Sequence, residues 1–185
     1  MVASMPSFST PRAGAAATVE WQWARLHDLS AADLYAVMAE RQRVFAVEQA
    51  CFFLDADGLD AYAWHLIGWP GRGARHGVAA YLRVVDPGHR FAEPSIGRVL
   101  TAADHRRSGL GRALMKEGLA RTGAIYPGMP IRIAAQYRLE PFYASLGFRT
   151  ASSVFEEDGI PHVEMLYAAP DAVVPPRAES PRQFG

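Results

Sequence analysis

The stretch that most constrains this chain is His105-Arg106-Arg107-Ser108-Gly109-Leu110-Gly111-Arg112. It follows the short apolar run Ile96 to Leu100. After it, Leu110, Leu114, Met115, Gly118 and Leu119 fall on one side of a predicted helix that runs to about Ala124. A strand that turns through glycines into a helix leaves the first amide hydrogens of that helix unpaired, and the helix dipole favours an anion there. The glycines let the backbone come close to a bulky ligand. The result is a phosphate cradle, although a plain turn before a surface helix would use the same residues. Two other kinds of glycine loop are excluded. A Walker loop ends in Gly-Lys-Ser/Thr where this chain has Gly111-Arg112-Ala113, and a Rossmann fingerprint needs a third glycine where Leu114 stands.

A length of 185 residues suits one domain, and a hydrophobic share of 50% suits a packed core. The predicted domain covers residues 19–168, between flexible tails at 1–18 and 169–185 that are rich in Ala and Pro. The formal net charge is zero, so there is no global electrostatic case for nucleic acid or an acidic membrane. The basic residues Arg106, Arg107, Arg112 and Lys116 nevertheless gather around the glycine turn. Cys51 is the only cysteine, which rules out an internal disulfide and a cysteine-based zinc cluster. No metal is expected. Without a membrane-spanning apolar run or a signal-like start, the expected location is the cytoplasm.

Val19, Trp21 and Trp23 alternate with Glu20, Gln22 and Ala24, which predicts a strand with one buried face. Ser30 is a suitable N-cap for a helix over Ala31 to Val47. Asp55, Asp57, Gly58 and Asp60 mark turns. Counted as a calcium loop they lack the final glutamate, since Leu66 stands there, so they read as a solvated acidic turn. Ala63 to Trp69 and Val78 to Val85 form a hairpin, Ser95 to Thr101 leads into the glycine loop, and Ile131 to Ala135 is a further strand. Leu139 to Leu146 is a short helix. Phe148 to Phe155 and Ile160 to Tyr167 form a hairpin across Asp158-Gly159. The order predicts an α+β domain around one mixed, mostly antiparallel sheet flanked by helices.

The pattern Arg106-x-x-Gly109-x-Gly111 resembles the coenzyme A loop of GCN5-related N-acetyltransferases (GNATs). Phe142-Tyr143-Ala144-Ser145-Leu146-Gly147-Phe148 resembles the motif near the end of such domains. Arg41-x-x-Val44-Phe45-x-x-Glu48-Gln49 with Asp55-x-Asp57-Gly58, Ala134-Ala135-Gln136, and Glu156-Glu157-Asp158-Gly159-Ile160-Pro161-His162 are similar to the ElaA branch of that family. The likeness spans Val19 to Tyr167. Tyr137-Arg138, where that branch usually has a small residue and His, and Pro141 inside the short helix depart from it.

The resemblance implies splayed central strands at an acetyl-CoA site and direct transfer of the acetyl group to an amine in a ternary complex. Backbone amides across Arg107, Ser108, Gly109, Leu110, Gly111 and Arg112 would hold the pyrophosphate, with charge from Arg106, Arg107 and Arg112. Leu100 and Thr101 would meet the pantetheine arm like an added strand. Tyr143 is the expected general acid toward the departing sulfur. His162 and Glu48 lead the candidates for the base, ahead of His65 and Glu157, and a water relay could replace any of them. Cys51 as a nucleophile carries little weight.

The expected acceptor is a small-molecule or peptide amine. The acidic residues of the loop from Glu48 to Asp60 and of Glu156 to Asp158 suit a cationic one such as a polyamine. Exposed sheet edges make a homodimer plausible. An acyl-homoserine lactone synthase-like enzyme and a non-catalytic acyl-CoA-binding module are the alternatives.

Overall fold

A computed structural model describes residues 19–50, 53–71 and 77–168. Cys51, both predicted tails and most of the connection after Pro70 lie outside the described residues. The strands are β1 (Val19–Arg25), β2 (Ala63–Pro70), β3 (Ala80–Val85), β4 (Ser95–Thr101), β5 (Ile131–Gln136), β6 (Phe148–Thr150), β7 (Phe155–Glu157) and β8 (Ile160–Tyr167). They form one sheet in the order β1-β2-β3-β4-β5-β8-β6, with β7 also on β8. Among the described residues, only the β4–β5 pair is parallel.

Helix α1 (Ala31–Arg41) starts where predicted: the Ser30 hydroxyl accepts the Asp33 amide at 3.1 Å. The expected α-helix does not continue unchanged to Val47. It widens into a π-helical stretch, Gln42–Glu48, closed by the Gln49 amide on the Val44 carbonyl. The wider turn shifts the buried face. Val44 stays in the core, while Phe45, Ala46 and Gln49 border a cavity.

Successive strand residues point to opposite faces, and helices cover both. Leu66 and Leu82 pack with Leu114 and Met115 of α2 (Leu110–Ile125). Ile67 and Tyr81 pack with Val37 and Val44 on the other side. Gly118 lets α2 settle on β3, because a Cβ there would fall 2.7 Å from Leu82 Cδ2.

The two covered faces explain why β1 differs from its predicted pattern. Trp21 and Trp23 do pack on the α2-side cluster, but β1 is an edge strand and leaves them partly exposed. Ala24, expected on the open face, is the most buried residue of the strand. The last hairpin also differs. Its first arm is broken between β6 and β7, because Thr150 pairs with Met165 whereas Phe155 pairs with His162. Extra residues are thereby looped out near Ser152. Pro141 sits in the first turn of α3 (Glu140–Ala144), where its missing amide hydrogen costs nothing.

Candidate functional site

The site is created by two departures from regular sheet. Between the pairs Tyr81–Leu100 and Arg83–Gly97, β4 has one residue more than β3, and Arg98 takes φ +51°. This β-bulge bends the strand. On its other edge, β4 pairs with β5 at Ser95–Arg132 alone. That junction is fixed by the Arg132 amide on the Pro94 carbonyl and by Arg132 ion pairs to Glu93 (2.7 Å) and Glu164 (2.5 Å). Beyond it the two parallel strands separate. A cavity of about 190 Å³ lies between them, bordered by Ile96 to Val99 of β4 and Ile133 to Gln136 of β5.

The glycine loop follows the far end of β4. Gly109 is the N-cap of α2, with φ +84° and no side chain to cap the first turn. The Arg112 and Ala113 amides turn back to the Gly109 carbonyl at 3.1 Å each. The Leu110 and Gly111 amides precede them, in the turn where a helix has no partners of its own. Arg107 also has a positive φ, +62°. Left-handed residues this close together form a concave nest of amides suited to an anion. Arg107 is exposed and makes no ion pair with any described residue. Arg106 donates to the Thr101 carbonyl (2.9 Å) and pairs with Glu48 (2.6 Å). Arg112 donates to the Ser145 hydroxyl (2.8 Å), and Ser108 to the His105 carbonyl (2.7 Å).

A family model for the acetyltransferase (GNAT) domain matches residues 78–168, which include the bulge, the loop and α3. A UPF0039 protein of Synechocystis is 39% identical over 152 residues, covering 82% of this chain and 97% of that protein. The chain belongs to the GNAT acetyltransferases, in their ElaA-like branch. The crystal structure of Escherichia coli ElaA superposes with a TM-score of 0.74 at 34% identity, over 81% of this chain and 99% of that one. An acyl-CoA N-acyltransferase from Pseudomonas aeruginosa gives 0.76 at 34% identity, over 82% and 100%. The expected fold, one mixed and mostly antiparallel sheet flanked by helices, is the one observed.

Within this GNAT domain the expected site residues divide. Tyr143 and His162 both border the cavity. Tyr143 is 7% exposed and packs edge-on against Phe142 and Phe148 at 5.1 and 5.8 Å. Burial pushes its hydroxyl up to about 12, so it stays protonated throughout the neutral pH range. His162 faces Gln136 across the β5–β8 pair, and its Nδ1 lies 2.8 Å from the Ile160 carbonyl. Glu48 does not border the cavity and is engaged by Arg106. Leu100 turns its side chain into the α1-side core, so only its backbone could meet a ligand. His65 is buried away from the cavity, against the Tyr81 hydroxyl (2.7 Å) and the Asp60 carbonyl (3.3 Å). Burial lowers its proton affinity, and these contacts exclude it as a base for the acceptor. Glu157 borders the cavity but is paired with Arg90 at 2.8 Å.

The acidic turn is not solvated. Arg41, 1% exposed on its side chain, holds Asp55 and Asp60 at 2.7 Å each. Arg83, equally buried, grips Asp57 through two hydrogen bonds (2.7 and 2.6 Å) and also reaches Asp60. Arg98, at the bulge, holds Asp55 at 2.6 Å. Three arginines therefore neutralise three aspartates and tie the loop, with Phe53 and Leu54, to the cavity wall. A signal for this was present in the sequence. Arg83 interrupts the apolar run Ala80 to Val85, and a charge inside a buried strand needs a partner.

This cluster makes stability depend on pH. Burial alone would raise the Asp57 carboxyl, but its bonds to Arg83, the Leu59 amide and the charge of Arg98 outweigh that and hold it at about 2, below its ordinary 3.8. Its contribution is complete above 3.8 and is lost as pH falls toward 2. For His65, the unfolded chain takes up a proton below its ordinary 6.5 that the folded chain resists, so stability declines as pH drops below that value. Thermal melts across pH are expected to show a shallow decline below 6.5 and a steeper loss between 3.8 and 2. A midpoint constant from pH 7 to 4 would remove His65 from the account.

Proposed function

We propose that this protein is a cytoplasmic N-acetyltransferase that transfers the acetyl group of acetyl-CoA to an amine, with donor and acceptor held together and no acyl-enzyme. The observation that carries this reading is one continuous path. The bulged, separated β4 and β5 open a cavity, the amide nest at Gly109 lies after the end of β4, and Tyr143 borders the cavity.

Acetyl-CoA supplies the thioester-activated acetyl group. The amides of Leu110 and Gly111, with Arg107 beside them, suit its pyrophosphate. An uncapped helix start with glycine at the cap leaves room for one. Arg106 and Arg112 are restrained by Glu48 and Ser145, so their part is to brace the loop and add positive charge. The exposed edge of β4 beyond the bulge suits the pantetheine amides. Tyr143 donates a proton where negative charge develops on sulfur. His162 receives the proton of the amine through Nε2, directly or through a water.

Acetyl-CoA is expected to raise the melting temperature, since a ligand at 100 times its Kd adds about 2.7 kcal/mol to stability. Release of free thiol should accompany turnover across an amine panel. No thermal shift with acetyl-CoA at millimolar concentration would sink the proposal. Binding without transfer to any amine would favour the non-catalytic module instead.

A further inference from the structure

We propose that the amine acceptor is an α-amino acid with an apolar side chain, its carboxylate held by Arg138. The proposal rests on the acetyltransferase reading of the cavity. The charges that border that cavity are Arg90, Arg98, Arg138, Asp55, Glu157 and Asp158. Two pairs cancel: Arg90 with Glu157 at 2.8 Å, and Arg98 with Asp55 at 2.6 Å. Asp55, Asp57 and Asp60, which would have suited a polyamine, are thus already committed to arginines, and Asp158 is the cavity carboxylate left over. Among the described residues, one cavity cation is left without a carboxylate, Arg138.

Arg138 is also oriented. Its Nε donates to the Gln136 side-chain oxygen at 3.0 Å, and the Gln136 amide nitrogen donates to the Gln49 side-chain oxygen at 3.2 Å. That leaves the two terminal nitrogens of the guanidinium, a fork matched to the two oxygens of a carboxylate. Gln136 is the direct partner of His162 across β5 and β8. A carboxylate on Arg138 therefore lies beside the group that receives the proton of the amine. An α-amino acid carries its amine one carbon away from its carboxylate. Asp158, the cavity carboxylate that pairs with no arginine among the described residues, is placed to attract the ammonium form as it enters. Phe53 and Leu54, 60% and 80% exposed at the cavity, offer an apolar surface to the side chain of the acceptor.

The test compares leucine and phenylalanine with leucinamide and spermidine, using acetyl-CoA and thiol release on the full chain. Leucine is expected to exceed leucinamide in kcat/KM by roughly 10- to 100-fold, the range for a charge-assisted paired contact. Arg138→Gln should raise KM for leucine by a similar factor, leave leucinamide unchanged, and so abolish the preference. Arg138→Lys should restore part of it. A merely structural role for Arg138 would lower both substrates together. The proposal is overturned if leucinamide or spermidine is used as well as leucine, if Arg138→Gln keeps the preference, or if no amine is acetylated. In the last case, a thermal shift with acetyl-CoA shows whether the donor reading still stands.

Discussion

Tyr143→Phe is expected to lower kcat by roughly 10² to 10⁴, the usual worth of a positioned acid, while acetyl-CoA binds as before. The change removes one oxygen and keeps the ring. The ring is what packs against Phe142 and Phe148, so stability should hold. The hydroxyl makes no hydrogen bond with a described residue, and its loss therefore strands no protein partner. The raised proton affinity matters here. A phenol held near 12 cannot act as a base at neutral pH, but it remains a donor to a thiolate throughout the working range. Steady-state kinetics and calorimetric binding of acetyl-CoA separate the two effects. Unchanged kcat would remove Tyr143 from the proton path, and lost binding would make it a structural residue.

The largest stability effect is expected at Arg41→Leu. Removing one partner of a buried ion pair costs about 3–5 kcal/mol, because the remaining charge is left without its counter-ion. Here Asp60 keeps Arg83 and Asp55 keeps Arg98, which points to the lower end, about 3 kcal/mol. In a domain of this size that is a fall of roughly 6–12 °C in Tm. A function-specific change should accompany it. The Asp55 loop carries Phe53 and Leu54 at the cavity, so KM for the acceptor should rise while the acetyl-CoA affinity, which the proposed function assigns to the glycine loop, holds. Arg121→Ala, which breaks a half-buried i,i+4 pair with Glu117 and a contact over the Trp23 ring, is the contrast and should cost no more than about 1.5 kcal/mol. Equal Tm values for the two variants would show that the buried cluster is not what holds the loop.

Local patterns made most of the fold legible. Ser30 announces α1, the run Leu110 to Leu119 announces α2, and Asp158-Gly159 announces the last turn. Each depends on neighbours within one or two turns of chain, and each is where it was expected. The patterns that failed depend on distant residues. Asp55, Asp57 and Asp60 look like any acidic turn until Arg83 and Arg98 arrive from the third and fourth strands. His65 looks like a candidate base until burial beside Tyr81 excludes it. Glu48 lies near the reaction in sequence motif, yet Arg106 draws it to the loop.

The sequence by itself determined that this chain makes a glycine turn at Arg106 to Gly111 that opens a helix against a mixed sheet. Backbone conformation at glycines and the start of a helix are local properties, set by the residues in place. Only the tertiary structure decided where the cavity opens, because a bulge and a lost strand pairing are relations between β3, β4 and β5. It also decided which charges remain available. Ion pairing depends on distances of a few ångströms between residues far apart in the chain. That is how three conspicuous aspartates became part of the frame, and how Arg138 became the cation that is free to meet an acceptor.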